Sequence, residues 1–226
     1  MGDRIAKTAL FDQFARVGKA LGNGKRLELL DLLAQGERTV DALARAAELG
    51  LTTASAHLQT LKQANLVATR RDGTKVYYRL AGPDVAALYA LVRTVATEHL
   101  PDAEAARREY LGPDTEQVTR EELLSRARSG DVVVLDVRPR EEYAAGHIPG
   151  ALSVPLEELA DHLADLPADQ EIVAYCRGAF CVLAHDAVRL LTARGRRARR
   201  LADGMLEWRL AELPVTTAPA ARSARR

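Results

Sequence analysis

The chain has two cysteines, and both lie in one short stretch, Tyr175-Cys176-Arg177-Gly178-Ala179-Phe180-Cys181. The apolar run Glu171-Ile172-Val173-Ala174 precedes it and a helix-like run, Val182 to Ala193, follows. A strand that stops, turns and enters a helix leaves the backbone N–H groups of the turn unpaired and aims the positive helix end inward. That setting holds anions and lowers the pKa of a thiol. Cys176 therefore reads as a reactive thiolate, with Arg177, Gly178, Ala179, Phe180 and Cys181 as its anion-binding loop. Cys181 opens the next helix, where its own pKa should fall as well. The bland alternative is two small side chains packed in a core.

A second set of residues points to a polyanion. In the segment 52–63, Ala54, Leu58 and Leu61 form an apolar stripe, while Thr53, Ser55, His57, Gln59, Thr60 and Lys62 fall outside it. Thr52 is the expected N-cap. The runs Leu66–Arg71 and Lys75–Leu80 flank Asp72-Gly73-Thr74, which predicts a β-hairpin with a cationic tip carrying Arg70, Arg71 and Lys75. Residues 52–80 hold Lys62, Arg70, Arg71, Lys75 and Arg79 against Asp72 alone. Helix, short turn, polar-faced helix and basic hairpin together make a winged helix-turn-helix. The helix suits the major groove of double-stranded DNA, and the wing suits its backbone or minor groove.

These residues need two scaffolds. A chain of 226 residues is long for one domain. Its net charge of +1 divides unevenly: residues 1–112 hold 16 Lys and Arg against 13 Asp and Glu, and residues 113–226 hold 16 against 18. The basic excess thus falls on the half with the winged-helix pattern. No apolar run reaches the roughly 18–20 residues of a membrane span, and Met1-Gly2-Asp3-Arg4 lacks a secretory signal's apolar region. A cytoplasmic protein with no membrane partner is expected. Two close cysteines in an otherwise thiol-poor chain suggest chemistry or redox sensing rather than a disulfide framework.

In the first half, Ile5, Ala9, Leu10, Phe14, Val17 and Leu21 recur at helical spacing. Gly22-Asn23-Gly24 breaks the pattern before a second run around Leu27–Leu33, and Thr39 caps a short third helix. Val85, Leu88, Leu91, Val92 and Val95 line a long later helix. Leu111-Gly112-Pro113 ends the helical stretch that follows. In the second half Thr119 and Glu122 suggest a capping box. Val132–Leu135 and Ile172–Tyr175 look like strands buried on both faces of a parallel sheet, with a weaker strand at Arg199–Leu201. The predicted organisation is an α+β winged helix-turn-helix domain, 1–112, followed by an α/β domain with a mostly parallel sheet, 113–216, and a disordered tail, 217–226.

Residues 8–100 resemble the ArsR-type winged-helix repressors through Leu27-Glu28-Leu29-Leu30, His57-Leu58, Ala64-Asn65-Leu66-Val67, Arg70-Arg71-Asp72-Gly73 and Tyr77-Tyr78-Arg79-Leu80. The resemblance implies a homodimer formed through the long later helix and the helix near Phe14. Many such repressors bind metal through cysteines before the recognition helix. Here Glu37–Leu43 contains none, and Glu98, His99, Asp102 and Glu104 make a poor ligand set, so no metal is expected.

Residues 115–216 resemble the rhodanese sulfurtransferases through Leu135-Asp136-Val137-Arg138, Glu142-Tyr143, Gly146–Ala151, Cys176-Arg177-Gly178 and Gly204 to Trp208 and Pro214-Val215. Asp136, Arg138, Glu142 and His147 read as partly buried charges that fix loops, not as catalytic acids and bases. The resemblance implies that Cys176 takes sulfane sulfur from thiosulfate or a low-molecular-weight persulfide and holds it as a persulfide. The N–H groups of Arg177 to Cys181 would ring it, and Arg177 would attract an anionic donor. A Cys176–Cys181 link needs Cα atoms within about 7 Å, and inserted sulfur would lengthen its reach. Related phosphatases need a longer loop closed by arginine, whereas Val182 stands six positions after Cys176. The expected function is a transcriptional regulator that senses or transfers sulfane sulfur, without a cofactor. The alternative is a thiosulfate or persulfide sulfurtransferase carrying an autoregulatory DNA-binding domain.

Overall fold

The structure is a computed structural model that describes residues 3–217. The chain forms two compact units, Met1–Tyr89 and Ala90–Arg226. Of the tail expected to be disordered, all but Thr217 lies outside the described residues.

The first unit follows the apolar spacing. Helix α1 (Arg4–Leu21) starts at Asp3, whose carboxylate accepts the Ile5 N–H at 2.9 Å. Helix α2 (Gly24–Gln35) starts at Asn23, which accepts from Arg26 N, and buries Leu29, Leu30, Leu32 and Leu33. Strand β1 (Arg38–Thr39) leads into α3 (Val40–Ala46), capped by Thr39 Oγ1 accepting the Ala42 N–H at 3.3 Å. Helix α4 (Leu51–Gln63) buries Ala54, Leu58 and Leu61. Its N-cap is Gly50, whose carbonyl accepts from Ala54 N, so Thr52 sits inside the first turn and is not the expected cap. Gly50 is already extended, which lets the helix begin two residues earlier.

Strands β2 (Val67–Asp72) and β3 (Lys75–Leu80) pair antiparallel, with Asp72 opposite Lys75 across a two-residue turn. Gly73, at φ +58°, occupies the left-handed region that such a turn requires. Strand β1 adds to the far edge of β3, giving the order β1-β3-β2. Helix α5 (Pro83–His99) buries Val85 and Tyr89, and the Tyr89 hydroxyl lies 3.1 Å from Asp31 Oδ1.

The second unit begins within α5 and continues through α6 (Pro101–Leu111), β4 (Gln117–Val118), α7 (Arg120–Ser129), β5 (Val132–Asp136), α8 (Arg140–Ala145) and β6 (Leu152–Ser153). It closes with β7 (Glu171–Tyr175), α9 (Val182–Ala193), β8 (Ala198–Leu201) and α10 (Met205–Leu210). The sheet order is β4-β8-β7-β5-β6 and every pairing is parallel. Successive strand residues serve opposite faces. Val133, Leu135, Ile172 and Ala174 pack with Ala187, Val188 and Leu191 of α9, whereas Val132, Val134, Val173 and Tyr175 pack with Leu123 of α7 and Met205 and Trp208 of α10. Burial on both faces explains the unbroken apolar runs. Thr119 caps α7, its Oγ1 accepting the Glu122 N–H at 3.2 Å. The Glu122 carboxylate turns to Arg199 (2.9 Å) and Arg126 (3.4 Å).

Candidate functional site: the cysteine loop and the helix-wing face

Cys176 follows β7, the central strand of the second sheet, and only 1% of it is exposed. Cys181 is the N-cap of α9, and its side chain makes no capping hydrogen bond. The two are joined as a disulfide with Cα atoms 6.2 Å apart, inside the reach expected for a direct bridge.

The loop between them is fixed from outside by α10. Met205 N donates to the Cys176 carbonyl at 3.0 Å and Leu206 N to the Arg177 carbonyl at 2.9 Å, so the free N–H groups at the start of α10 are spent on the loop's carbonyls. This grip needs Gly204. A Cβ there would lie 2.5 Å from Gly178 Cα and 2.7 Å from the Arg177 carbonyl carbon, closer than packed atoms come. The Cys181 N–H is used within the loop, donating to Gly178 O at 3.1 Å. Among the described residues, the N–H groups of Gly178, Ala179 and Phe180 donate to no acceptor.

The charges around the loop are paired. Arg177 donates through Nε and Nη2 to Glu142, at 2.7–3.1 Å, and the Glu142 side chain is buried. This guanidinium holds the loop to α8. Asp136, at the end of β5, accepts from Arg138 N, Nε and Nη2 at 2.6–3.0 Å and from the Tyr175 hydroxyl at 2.6 Å. The Tyr175 oxygen accepts the Ile148 N–H, and Arg138 Nη2 also donates to Gly146 O. Burial, then the Asp136 charge, push the Tyr175 phenol above its ordinary pKa, so it remains a donor at neutral pH. His147 stacks on Tyr143 with ring centroids 3.6 Å apart. These side chains hold loops, as the sequence suggested for Asp136, Arg138, Glu142 and His147.

Sequence reasoning missed two neighbours of the loop, Glu207 and Arg93. Glu207 Oε2 accepts the Gly204 N–H at 3.0 Å, and Glu207 Oε1 accepts from Arg93 Nη2 at 2.5 Å. The Arg93 guanidinium lies 4.8 Å from the centroid of the Phe180 ring. Both are charged residues on helices, and nothing in their spacing marks them.

The helix-wing face of the first unit is built differently. Thr53, Gln59 and Lys62 of α4 are exposed, and Ser55, His57 and Thr60 are half-buried. Gln59 Nε2 donates to the Tyr78 hydroxyl at 3.0 Å, tying α4 to β3, and Thr60 Oγ1 donates back to Ala56 O. Arg70 is engaged by Glu37 at 2.5 Å and lies 4.7 Å from the Tyr77 ring centroid. Arg71, Lys75 and Lys62 are exposed and form no ion pair among the described residues.

Among the described residues no helix is long and apolar enough to cross a membrane, and no three His, Cys, Asp or Glu side chains gather as metal ligands.

Comparison with known proteins finds a rhodanese-like domain model over residues 119–211 and a model for bacterial regulatory proteins of the arsR family over residues 23–69. The HTH-type transcriptional regulator Rv0324 of Mycobacterium tuberculosis is 60% identical over 214 residues, 95% of each chain. A sulfurtransferase of Allochromatium vinosum is 31% identical over 90 residues, 39% of this chain and 82% of its own. Among solved structures, the homodimeric winged helix-turn-helix DNA-binding domain of Mb0332 from Mycobacterium bovis is 63% identical. It covers 45% of this chain and 93% of its own, with a TM-score of 0.42.

Proposed function

Since this chain belongs to the ArsR family of bacterial regulatory proteins and carries a C-terminal rhodanese-like domain, we propose that it is a DNA-binding homodimer whose operator affinity answers to sulfane sulfur taken up at Cys176. The carrying observation is the loop itself: two sulfurs in bonding reach, beside three backbone N–H groups that have no acceptor among the described residues.

The chemistry starts from the reduced loop. The Cys176 thiolate attacks the outer sulfur of thiosulfate. A new S–S bond forms, the bond to the sulfite sulfur breaks, and sulfite leaves with that electron pair. The product is a Cys176 persulfide anion, an acceptor suited to the N–H groups of Gly178, Ala179 and Phe180. The Cys181 thiolate then attacks Cys176 Sγ and expels the outer sulfur, which takes a proton from water and leaves as hydrosulfide, and the Cys176–Cys181 disulfide remains. Two thiolates are oxidised and the sulfane sulfur is reduced. Arg177, already held by Glu142, positions the loop in this scheme.

Thr53, Ser55, His57, Gln59, Thr60 and Lys62 of α4 would meet base edges, while Arg70, Arg71 and Lys75 of the wing would meet phosphates. Phe11 and Phe14 on α1 and Leu91 and Val95 on α5, each about half exposed, supply apolar surface for a second copy to cover. We place DNA binding and dimerisation in 1–112 and sulfur handling in 113–216.

Intact-mass analysis tests the loop chemistry. Reduced protein exposed to limiting thiosulfate should gain a sulfur atom or lose two hydrogens, and Cys176→Ser should do neither. An unmodified wild-type chain would refute the reading. The rhodanese-like match keeps an enzyme reading open: sustained thiosulfate-to-cyanide turnover would favour it, and a single modification per chain would favour the sensor.

A further inference from the structure

We infer that Arg93 is a positioning residue through which α5 registers the state of the cysteine loop. The inference rests on the sulfur-responsive reading above and names its route. Within the second unit one guanidinium lies beside the loop at two points. Its carbon lies 4.8 Å from the Phe180 ring centroid, and Nη1 lies 3.2 Å from where a Cβ on Gly178 would be. Its Nη2 bonds Glu207 at 2.5 Å, and Glu207 in turn holds the Gly204 N–H, beside the point where Gly204 packs against Gly178. The Arg93 and Glu207 side chains are only 15% and 20% exposed, so their contact is weakly screened by solvent.

Phe180 directly precedes Cys181, whose sulfur is bonded to Cys176. Reducing the disulfide, or carrying an extra sulfur on Cys176, frees Cys181 from that bond and so releases the Phe180 ring beneath the guanidinium. The Cys176–Arg177 end stays pinned by the Met205 and Leu206 N–H groups, with Gly204 packed against Gly178. The same displacement therefore reaches Arg93 as a change in one partner while the other is fixed. Arg93 stands one helical turn after Tyr89 on α5, the helix that also carries the exposed Leu91 and Val95. A shift of Arg93 thus acts on the helix proposed to form the dimer. It couples loop state to DNA binding only by as much as the Arg93 contacts differ between the two states.

The experiment uses the full chain and an operator duplex selected with the wild type, at fixed salt. Operator affinity is measured for the disulfide form and after reduction by dithiothreitol, which supplies two electrons and two protons to the Cys176–Cys181 bond and itself becomes a cyclic disulfide. Wild type should show an affinity ratio between the two forms of about 5–150-fold. Arg93→Met should bind DNA in both forms with a ratio within about twofold of unity, while its disulfide still forms and reduces. Arg93→Lys, which keeps the charge but not the planar group, should restore part of the ratio. Phe180→Leu removes the ring but leaves the Arg93–Glu207 pair, and should lower the ratio even if Arg93→Met does not fold. Reciprocity gives a second readout. Operator DNA should shift the dithiol ratio at which half the wild-type chain is oxidised, and should not shift it in Arg93→Met. An unchanged ratio in both Arg93→Met and Phe180→Leu would overturn the Arg93 route alone. A wild-type ratio of unity would overturn the sulfur-responsive reading and the route with it.

Discussion

The helix-wing face and the cysteine loop solve opposite problems. On the wing, Arg71 and Lys75 extend into solvent without ion pairs among the described residues, and only Arg70 is drawn back, by Glu37 and Tyr77. At the loop, the Cys176 and Arg177 carbonyls are taken by α10, the Arg177 guanidinium is matched to Glu142, and Asp136 is matched to Arg138 and Tyr175. Charges left unpaired suit the proposed exchange of counterions for phosphates at the wing. The proposed thiolate chemistry is served by neighbours that hold the Cys176 and Arg177 end of the loop in place. Mutations on the two faces should therefore differ in kind: wing changes should move DNA binding with little effect on stability, whereas loop-support changes should first cost stability.

The most damaging test of that separation is Arg138→Met. It strands the fully buried Asp136 carboxylate and should lower stability by about 3–5 kcal/mol in chemical denaturation. A loss below about 1 kcal/mol would mean that water reaches the site and the loop is less tightly framed than described. Next comes Gly204→Ala. The added methyl overlaps Gly178, so a cost of about 1–3 kcal/mol is expected, together with slower reaction of Cys176 as the loop is pushed aside. Unchanged melting and thiol reactivity would show that α10 does not grip the loop.

On the other face, Arg71→Ala and Lys75→Ala should change stability by no more than about 0.5 kcal/mol. Each should reduce the slope of log affinity against log salt by about 1 across all duplexes. Arg70→Ala should do less, because Glu37 already holds that guanidinium. Equal slopes for all three variants and wild type would remove the wing from the interface.

A pH-dependent effect is expected at His185 of α9, which is buried. Burial first, then the charges of Arg200 and Arg189, push its pKa down to about 4. Unfolded, it titrates near 6.5, so between these values the unfolded chain holds more protons. Its contribution is complete above about pH 6.5 and is lost as pH falls towards 4. Denaturation midpoints of His185→Gln should fall less steeply than those of wild type over this window, and parallel curves would contradict the assignment.

Much of this was legible in the sequence because it was periodic or punctuated. The stripe Ala54, Leu58, Leu61 placed α4, Asp72-Gly73 placed the hairpin, and the two unbroken apolar runs placed β5 and β7. The edge strands β1, β4 and β6 are two residues each and too short to carry a pattern. The cap of α4 was misplaced because Thr52 is a better capping residue than Gly50, yet the chain is already extended at Gly50. Partnerships across long separations were out of reach. Arg177 and Glu142 are 35 residues apart and Arg93 and Glu207 are 114 apart, and such pairs follow from topology rather than from local propensity. For Arg177 the sequence supplied the charge but not the partner that engages it.

The measurement closest to the central claim is operator affinity at one salt concentration for reduced wild type and reduced Cys176→Ser, each before and after limiting thiosulfate. The account predicts a change of at least about fivefold in wild type, in step with the sulfur-dependent mass change, and none in Cys176→Ser. Equal affinities for treated and untreated wild type, with Cys176 verified as modified, would contradict it.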